Sequence, residues 1–243
     1  MFDLKPVEEE KPKRLRNYDF FIEEVKARIK SKRNIVIVIH GPTGSGKSYL
    51  ALRMAEVLDP TFNIERVVFT PEDFFRQVKH LPQGAFIVFD EAGVTLDARR
   101  FMEMINVVTN YVLESFRYRL INVIFTVPSI KMIDINVRRL MHVLIFQKDR
   151  GFARIYKINM GYDGSTWAYR VGTFVNVPMP SKLLREAYEK KKHDAFERLL
   201  DEAMERITEG KFGGENVIEE DEIDNVPVLK DEIEKVVEAK LNG

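Results

Sequence analysis

Cysteine is absent from the 243-residue chain, which excludes disulfides, thiolate nucleophiles and thiolate metal sites. Net charge is absent as well. The 38 Lys and Arg balance 38 Asp and Glu, so nothing draws the whole molecule to a polyanion and only local basic patches can do so. No apolar run approaches the roughly 20 residues of a membrane span. Runs such as Ile35 to Ile39 and Ala85 to Phe89 are strand-sized. The four scattered histidines have no metal-ligand spacing, and the opening "MFDLKPVEEEKPKR" lacks the basic-then-apolar order of a secretory leader. A cytoplasmic protein without membrane insertion is the expectation. Glutamine is scarce, at Gln77, Gln83 and Gln147, while 31% of residues are charged. That bias is found among thermophile proteins.

What is present is enough for one sizeable core, with 45% hydrophobic residues. Residues 1–16 are charged and interrupted by proline, so they are expected as a flexible arm. "NYDFFIEEVKARIKSKR" spaces Phe20, Phe21, Val25 and Ile29 as one face of a helix. Strands and helices then alternate. Strands are expected at Ile35–Ile39, Arg66–Thr70, "AFIVFDE", Ile121–Val127 and "MHVLIFQ". Helices are expected at Lys47–Leu58, "PEDFFRQVKHL", Leu96–Arg117 and Ile133–Leu140. The strands are continuously rather than alternately apolar, the mark of burial on both faces. The fold class that follows is α/β, a mainly parallel sheet flanked by helices.

After Arg150 the pattern changes. "FARIYKIN" and "TWAYRVGTFVNV" flank the turn-rich "MGYDGS" and predict an antiparallel hairpin. The spacing of Leu184, Tyr188, Ala195, Leu199, Ala203 and Ile207 predicts an amphipathic helix across 181–209. An acidic tail with a short terminal helix follows at 210–243. The compact core is thus expected over 17–180.

"GPTGSGKS", Gly41 to Ser48, fits G-x-x-x-x-G-K-[ST] between a strand and a helix, the context that a phosphate-binding loop requires. Backbone N–H groups of such a loop, with the positive end of the next helix, face an anion. Nucleotide contacts are expected from Gly41, Pro42, Thr43, Gly44, Ser45, Gly46, Lys47, Ser48 and Tyr49. Lys47 would reach the β- and γ-phosphates and the Ser48 hydroxyl would bind Mg²⁺. Asp90 ends a buried strand, where a carboxylate can hold Mg²⁺ beside Ser48, and Glu91 follows as the acid to polarise an attacking water. A kinase would not need that second acid, so hydrolysis of a nucleoside triphosphate is the expected reaction. The base pocket has no signature that separates ATP from GTP.

The stretch "FRYRLINVIFTVPSIKMIDINVRRLMHVLIFQ", Phe116 to Gln147, resembles the corresponding part of FtsK–HerA ATPases. The resemblance lies in Arg117 and Arg119 before a strand, then Thr126, Pro128 and Ser129, Ile133-Asp134, Arg138-Arg139 and "LIFQ". With both nucleotide motifs it spans Ile35 to Gln147, and archaeal virus and plasmid ATPases similar to zonula-occludens-toxin-like proteins fit it best. It implies a P-loop NTPase fold, ATP as the nucleotide, and a ring-forming homo-oligomer, such as a hexamer, that translocates or packages DNA. It also implies an arginine acting across the subunit boundary. Arg119 is the first candidate, with Arg117, Arg138 and Arg139 beside it and Arg99 and Arg100 behind. Where the family's strand ends in glutamine this chain has Val127, so γ-phosphate sensing would pass to Thr126 or Ser129.

Basic clusters at Lys11–Arg16, Lys26–Arg33 and Glu189–His193 are candidate contacts to DNA phosphates. Phe20, Phe21, Phe74, Phe75 and Trp167 are expected in the core instead. Two further readings stay open. One is an AAA+-like initiator or helicase-loader switch that hydrolyses slowly; the other is a non-motor nucleotide-binding assembly protein.

Overall fold

The computed structural model describes residues 17–90, 119–132, 140–161 and 165–208. The arm 1–16, Glu91 and the helices expected from Leu96 and from Ile133 lie outside the described residues, as does the tail beyond 208. The chain separates into two compact units, Met1–Leu199 and Leu200–Gly243. The first holds the sheet.

Helix α1, Tyr18–Lys30, starts where the Asn17 side chain accepts from the Phe20 N–H at 2.9 Å and carries Arg28 and Lys30 in its last turn. Cap and charge both suit the helix dipole. Its inward face is Tyr18, Phe21, Ile22 and Val25, while Phe20 is 54% exposed and does not join the core as its spacing predicts. The helix face is set by Tyr18 and Phe21 packing edge-on against Phe174, which turns the adjacent Phe20 outward. Phe21 and Phe74 are buried, whereas Phe75 and Trp167 are only partly so.

Strand β1, Val36–His40, leads through the glycine loop into α2, Lys47–Leu58. A 3-10 turn at Ile64–Arg66 shortens the next strand to β2, Val67–Val68. Helix α3, Pro71–His80, is capped by Thr70 and has Glu72 and Asp73 in its first turn. Strands β3 (Phe86–Phe89), β4 (Asn122–Val127), β5 (Val143–Asp149), β6 (Phe152–Met160) and β7 (Thr166–Val175) follow. The last described helix is α4, Lys182–Thr208.

These strands form one seven-stranded sheet in the order β2-β3-β4-β1-β5-β6-β7. The first five are parallel, and the predicted hairpin β6–β7 extends the sheet antiparallel from β5. β1 lies between β4 and β5, with Val38 opposite Phe125 on one side and Leu144 on the other. One apolar layer joins the sheet to α1, α2 and the first turns of α4 through residues such as Phe21, Leu52, Phe174 and Tyr188. The other joins it to α3 through Phe74, Ile87, Phe89 and Phe125. The fold is therefore α/β, mainly parallel, with helices on both faces.

Buried polar side chains tie the strand starts together. Asn122, fully buried, accepts from the Ile35 N–H at 2.9 Å and donates to the Gly84 carbonyl at 2.8 Å. Asp59 accepts from Arg66 at 2.7 Å and from the Phe86 N–H at 2.9 Å, holding the end of α2 to the start of β3. The carboxyl ends of the parallel strands β1, β3 and β4 lie together at one end of the sheet, where open parallel sheets bind ligands.

Candidate functional site

At the carboxyl end of β1 the chain turns sharply into α2. Gly41 sits at φ 153° with its α-carbon pressed on β5: a Cβ there would lie 2.0 Å from the Gln147 carbonyl oxygen. Gly46, at φ 93°, occupies the N-cap position of α2 without a side-chain cap. No side chain at that position caps the first N–H groups of α2, so they and the positive end of the helix are left for a ligand at the loop. Ser45 is buried, and its hydroxyl has no hydrogen-bond partner among the described residues. Lys47, only 8% exposed, curls back so that its Nζ donates to the carbonyls of Gly41 (2.9 Å) and Pro42 (3.1 Å). The loop thus places a buried cation beside the uncapped start of α2. Carbonyls are weaker acceptors than phosphate oxygens, so Lys47 can exchange one for the other.

Asp90, immediately after β3, is 1% exposed and accepts three hydroxyls. Ser48 Oγ donates to its Oδ1 at 2.9 Å and Thr126 Oγ1 to the same oxygen at 2.5 Å. Tyr188 OH donates to Oδ2 at 2.6 Å. The predicted loop, acid and β4 hydroxyl thus meet at one carboxylate. Tyr188 completes it from α4, about a hundred residues away; in the sequence it is one apolar position in a helical stripe. Burial first, and then the Asp90 charge, pushes the Tyr188 phenol far above its usual range, so it remains a donor.

The cleft beside this carboxylate has a volume of about 570 Å³, within the range of small-ligand sites. It is lined by loop residues including Lys47 and Ser48, by Asp90, by Arg150, and by Tyr188 and Lys192 of α4. Tyr49 OH donates to Glu189 Oε1 at 2.8 Å, and burial and then that carboxylate raise its pKa. Gln147 Nε2 donates to the carbonyls of Ser45 and Asp149, fastening β5 to the loop. His40, the last residue of β1, is pushed down to about 4 by burial and then by the charge of Lys47.

Other predicted residues stand elsewhere. Arg119 precedes β4, at the opposite end of the strands, and its guanidinium donates to the carbonyls of Val78, Lys79 and Leu81. It closes the C-terminus of α3, which gives it a job within its own chain. Val127 is buried, and Ser129 Oγ accepts from the Lys131 N–H. The cluster Glu189–His193 does not form one basic face: Lys191 donates to the Ile64 and Glu65 carbonyls, and Lys192 lies over the Tyr188 ring and lines the cleft. In the Lys26–Arg33 cluster, Lys26 pairs with Glu23 and Arg28 donates to the Asn34 carbonyl. Arg117, Arg138 and Arg139 lie outside the described residues.

No protein-family profile matches the sequence, and no curated protein matches it. Solved structures resemble it in fold. One is the N-terminal domain of zonular occludens toxin from Neisseria meningitidis, 17% identical, with a TM-score of 0.38 over 63% of this chain and 98% of that one. Another is EssC (ATPases 2 and 3) from Geobacillus thermodenitrificans, 13% identical, with a TM-score of 0.41 over 70% of this chain and 44% of that one. The chain thus spans less than half of the EssC structure it resembles.

Proposed function

We propose that the chain binds ATP with Mg²⁺ at Gly41–Ser48 and hydrolyses it, working as a ring of identical subunits on DNA. The observation that carries the nucleotide reading is the hydrogen bond from Ser48 to Asp90. It joins the first turn of the phosphate-loop helix to the carboxylate at the end of β3. An oxygen-only donor set of one hydroxyl and one carboxylate suits a hard divalent cation. Among the described residues no three His, Asp or Glu side chains gather to hold a metal by themselves, so the remaining ligands fall to phosphate and water oxygens. When bound, Mg²⁺ would neutralise charge on the β- and γ-phosphates. Lys47 would hold the same phosphates, and Glu91 would polarise the attacking water.

The motor part of the proposal rests on the resemblance of Phe116–Gln147 to FtsK–HerA ATPases. Among the described residues no helix is long and apolar enough to cross a membrane. A trans arginine fits Arg117, Arg138 or Arg139 better than Arg119, which would first have to leave three carbonyls. Thr126 directs its hydroxyl proton to Asp90, so of the two hydroxyls proposed as γ-phosphate sensors Ser129 is the better placed to donate.

Steady-state ATP hydrolysis tests the reading, with and without DNA, for the intact chain, Lys47→Ala and Glu91→Gln. Turnover that DNA accelerates and both substitutions abolish supports a motor. Slow turnover indifferent to DNA supports the switch, and turnover retained by Lys47→Ala overturns the nucleotide site itself.

A further inference from the structure

The Tyr188–Asp90 hydrogen bond is not required by a phosphate loop, and it ties α4 to the proposed cation site. A carboxylate offers about four acceptor positions. Among the described residues Ser48 and Thr126 fill those of Asp90 Oδ1 and Tyr188 fills one on Oδ2, which leaves a single direction on Oδ2 for a water or cation. Tyr188 is itself held rigidly. It is 1% exposed, stands edge-on to Tyr49 with centroids 6.2 Å apart, and packs near Phe69.

The early part of α4 is pinned along the same side. The Ser181 N–H donates to both oxygens of Glu56 on α2, Glu189 accepts from Tyr49 on α2, and Lys191 donates to the Ile64 carbonyl. Two successive residues, Tyr188 and Glu189, thus engage groups next to the phosphate loop: one the carboxylate after β3, the other the residue after Ser48.

We propose that Tyr188 is a positioning residue: it aims Asp90 Oδ2 at the cation that accompanies the nucleotide, and so couples α4 to occupancy of that site. The inference rests on the nucleotide reading above. Tyr188→Phe keeps the ring and its packing and removes only the hydroxyl. Binding of a fluorescent ATP analogue is measured across a Mg²⁺ titration and again in EDTA. The expected result is unchanged affinity in EDTA and a rise of roughly tenfold in the Mg²⁺ concentration for half-maximal enhancement, the scale of one hydrogen bond to a charged acceptor. A tyrosine that merely packs would leave the Mg²⁺ midpoint where it is, and that result overturns the proposal.

If wild type binds the analogue with Mg²⁺ enhancement and the variant matches it, the positioning role alone fails. If wild type binds no nucleotide at all, the site reading fails with it. Should Tyr188→Phe not fold, trypsin cleavage after Lys190 and Lys192 is followed in the wild-type chain with nucleotide plus Mg²⁺ and with nucleotide plus EDTA. Slower cleavage with Mg²⁺ supports the coupling, and equal rates overturn it.

Discussion

Gly41→Ala isolates the packing that shapes the loop. The added methyl would sit 2.0 Å from the Gln147 carbonyl oxygen and 3.0 Å from its carbon. Both are backbone atoms at the end of β5, which is paired in register with β1 (His40 opposite Phe146), so neither can swing aside. Relief to an ordinary contact needs a shift of more than about 1 Å by the loop or by the strand, the kind of overpacking that costs about 1–3 kcal/mol. The backbone at φ 153° adds strain of about 1–3 kcal/mol for a residue with a side chain. Together these come to about 2–6 kcal/mol, which corresponds to a fall in melting temperature of about 4–24 °C for a domain of this size.

Thermal melting and nucleotide titration read the two consequences together. A loop displaced on this scale should also lose at least about tenfold in affinity for a triphosphate, some 1.4 kcal/mol. Gly44→Ala is the comparison. Gly44 also has positive φ, at 77°, but an added Cβ meets nothing within 4 Å, so it carries only the backbone cost of about 1–2 kcal/mol. If Gly41→Ala proves no worse than Gly44→Ala in either assay, the close approach of loop and β5 does not govern the site.

Asp59→Ala removes the acceptor of Arg66, Thr61 and the Phe86 N–H from a site only 7% exposed, and the denaturant midpoint should report a loss of about 3 kcal/mol or more. Arg119→Ala frees three carbonyls at the end of α3, so a loss of about 1–3 kcal/mol of stability, seen as a lower melting temperature, is expected; lost turnover with unchanged melting would make it a trans-acting residue instead. His40 takes up a proton near pH 6.5 when unfolded but only near 4 when folded, so stability should decline as pH falls from about 6.5 toward 4. The ring is partly buried, and screening limits that decline to about 1–2 kcal/mol. Denaturation at several pH values should find the slope reduced in His40→Gln, and an identical slope would remove His40 as its source.

Local signals carried most of the fold. The loop consensus, with a strand before it and helical periodicity after it, places α2 at its observed ends, Lys47–Leu58. Continuous apolar runs of strand length correspond to β1, β3 and β4, which are buried on both faces. What stayed illegible depends on contacts distant in sequence. Phe20 and Phe21 are equivalent as residues, and only the docking against Phe174 decides which one turns inward. Tyr188 reads as one apolar step of a helix, because its hydroxyl acquires a partner only when α4 reaches Asp90. Arg119 looks the same in sequence whether it faces a neighbour or caps its own α3. Likewise, "EKKKH" is a charge run on paper, but folding sends Lys191 to a pair of carbonyls and Lys192 to the cleft.

The most direct measurement is a structure of the chain with a non-cleavable ATP analogue and Mn²⁺, the metal being located by its anomalous signal. The account predicts the terminal phosphate within the Gly41–Ser48 loop and in contact with Lys47, with the metal ligated by Ser48 and held by Asp90 directly or through one water. A loop carrying no phosphate, or a metal bound away from Ser48 and Asp90, would contradict it.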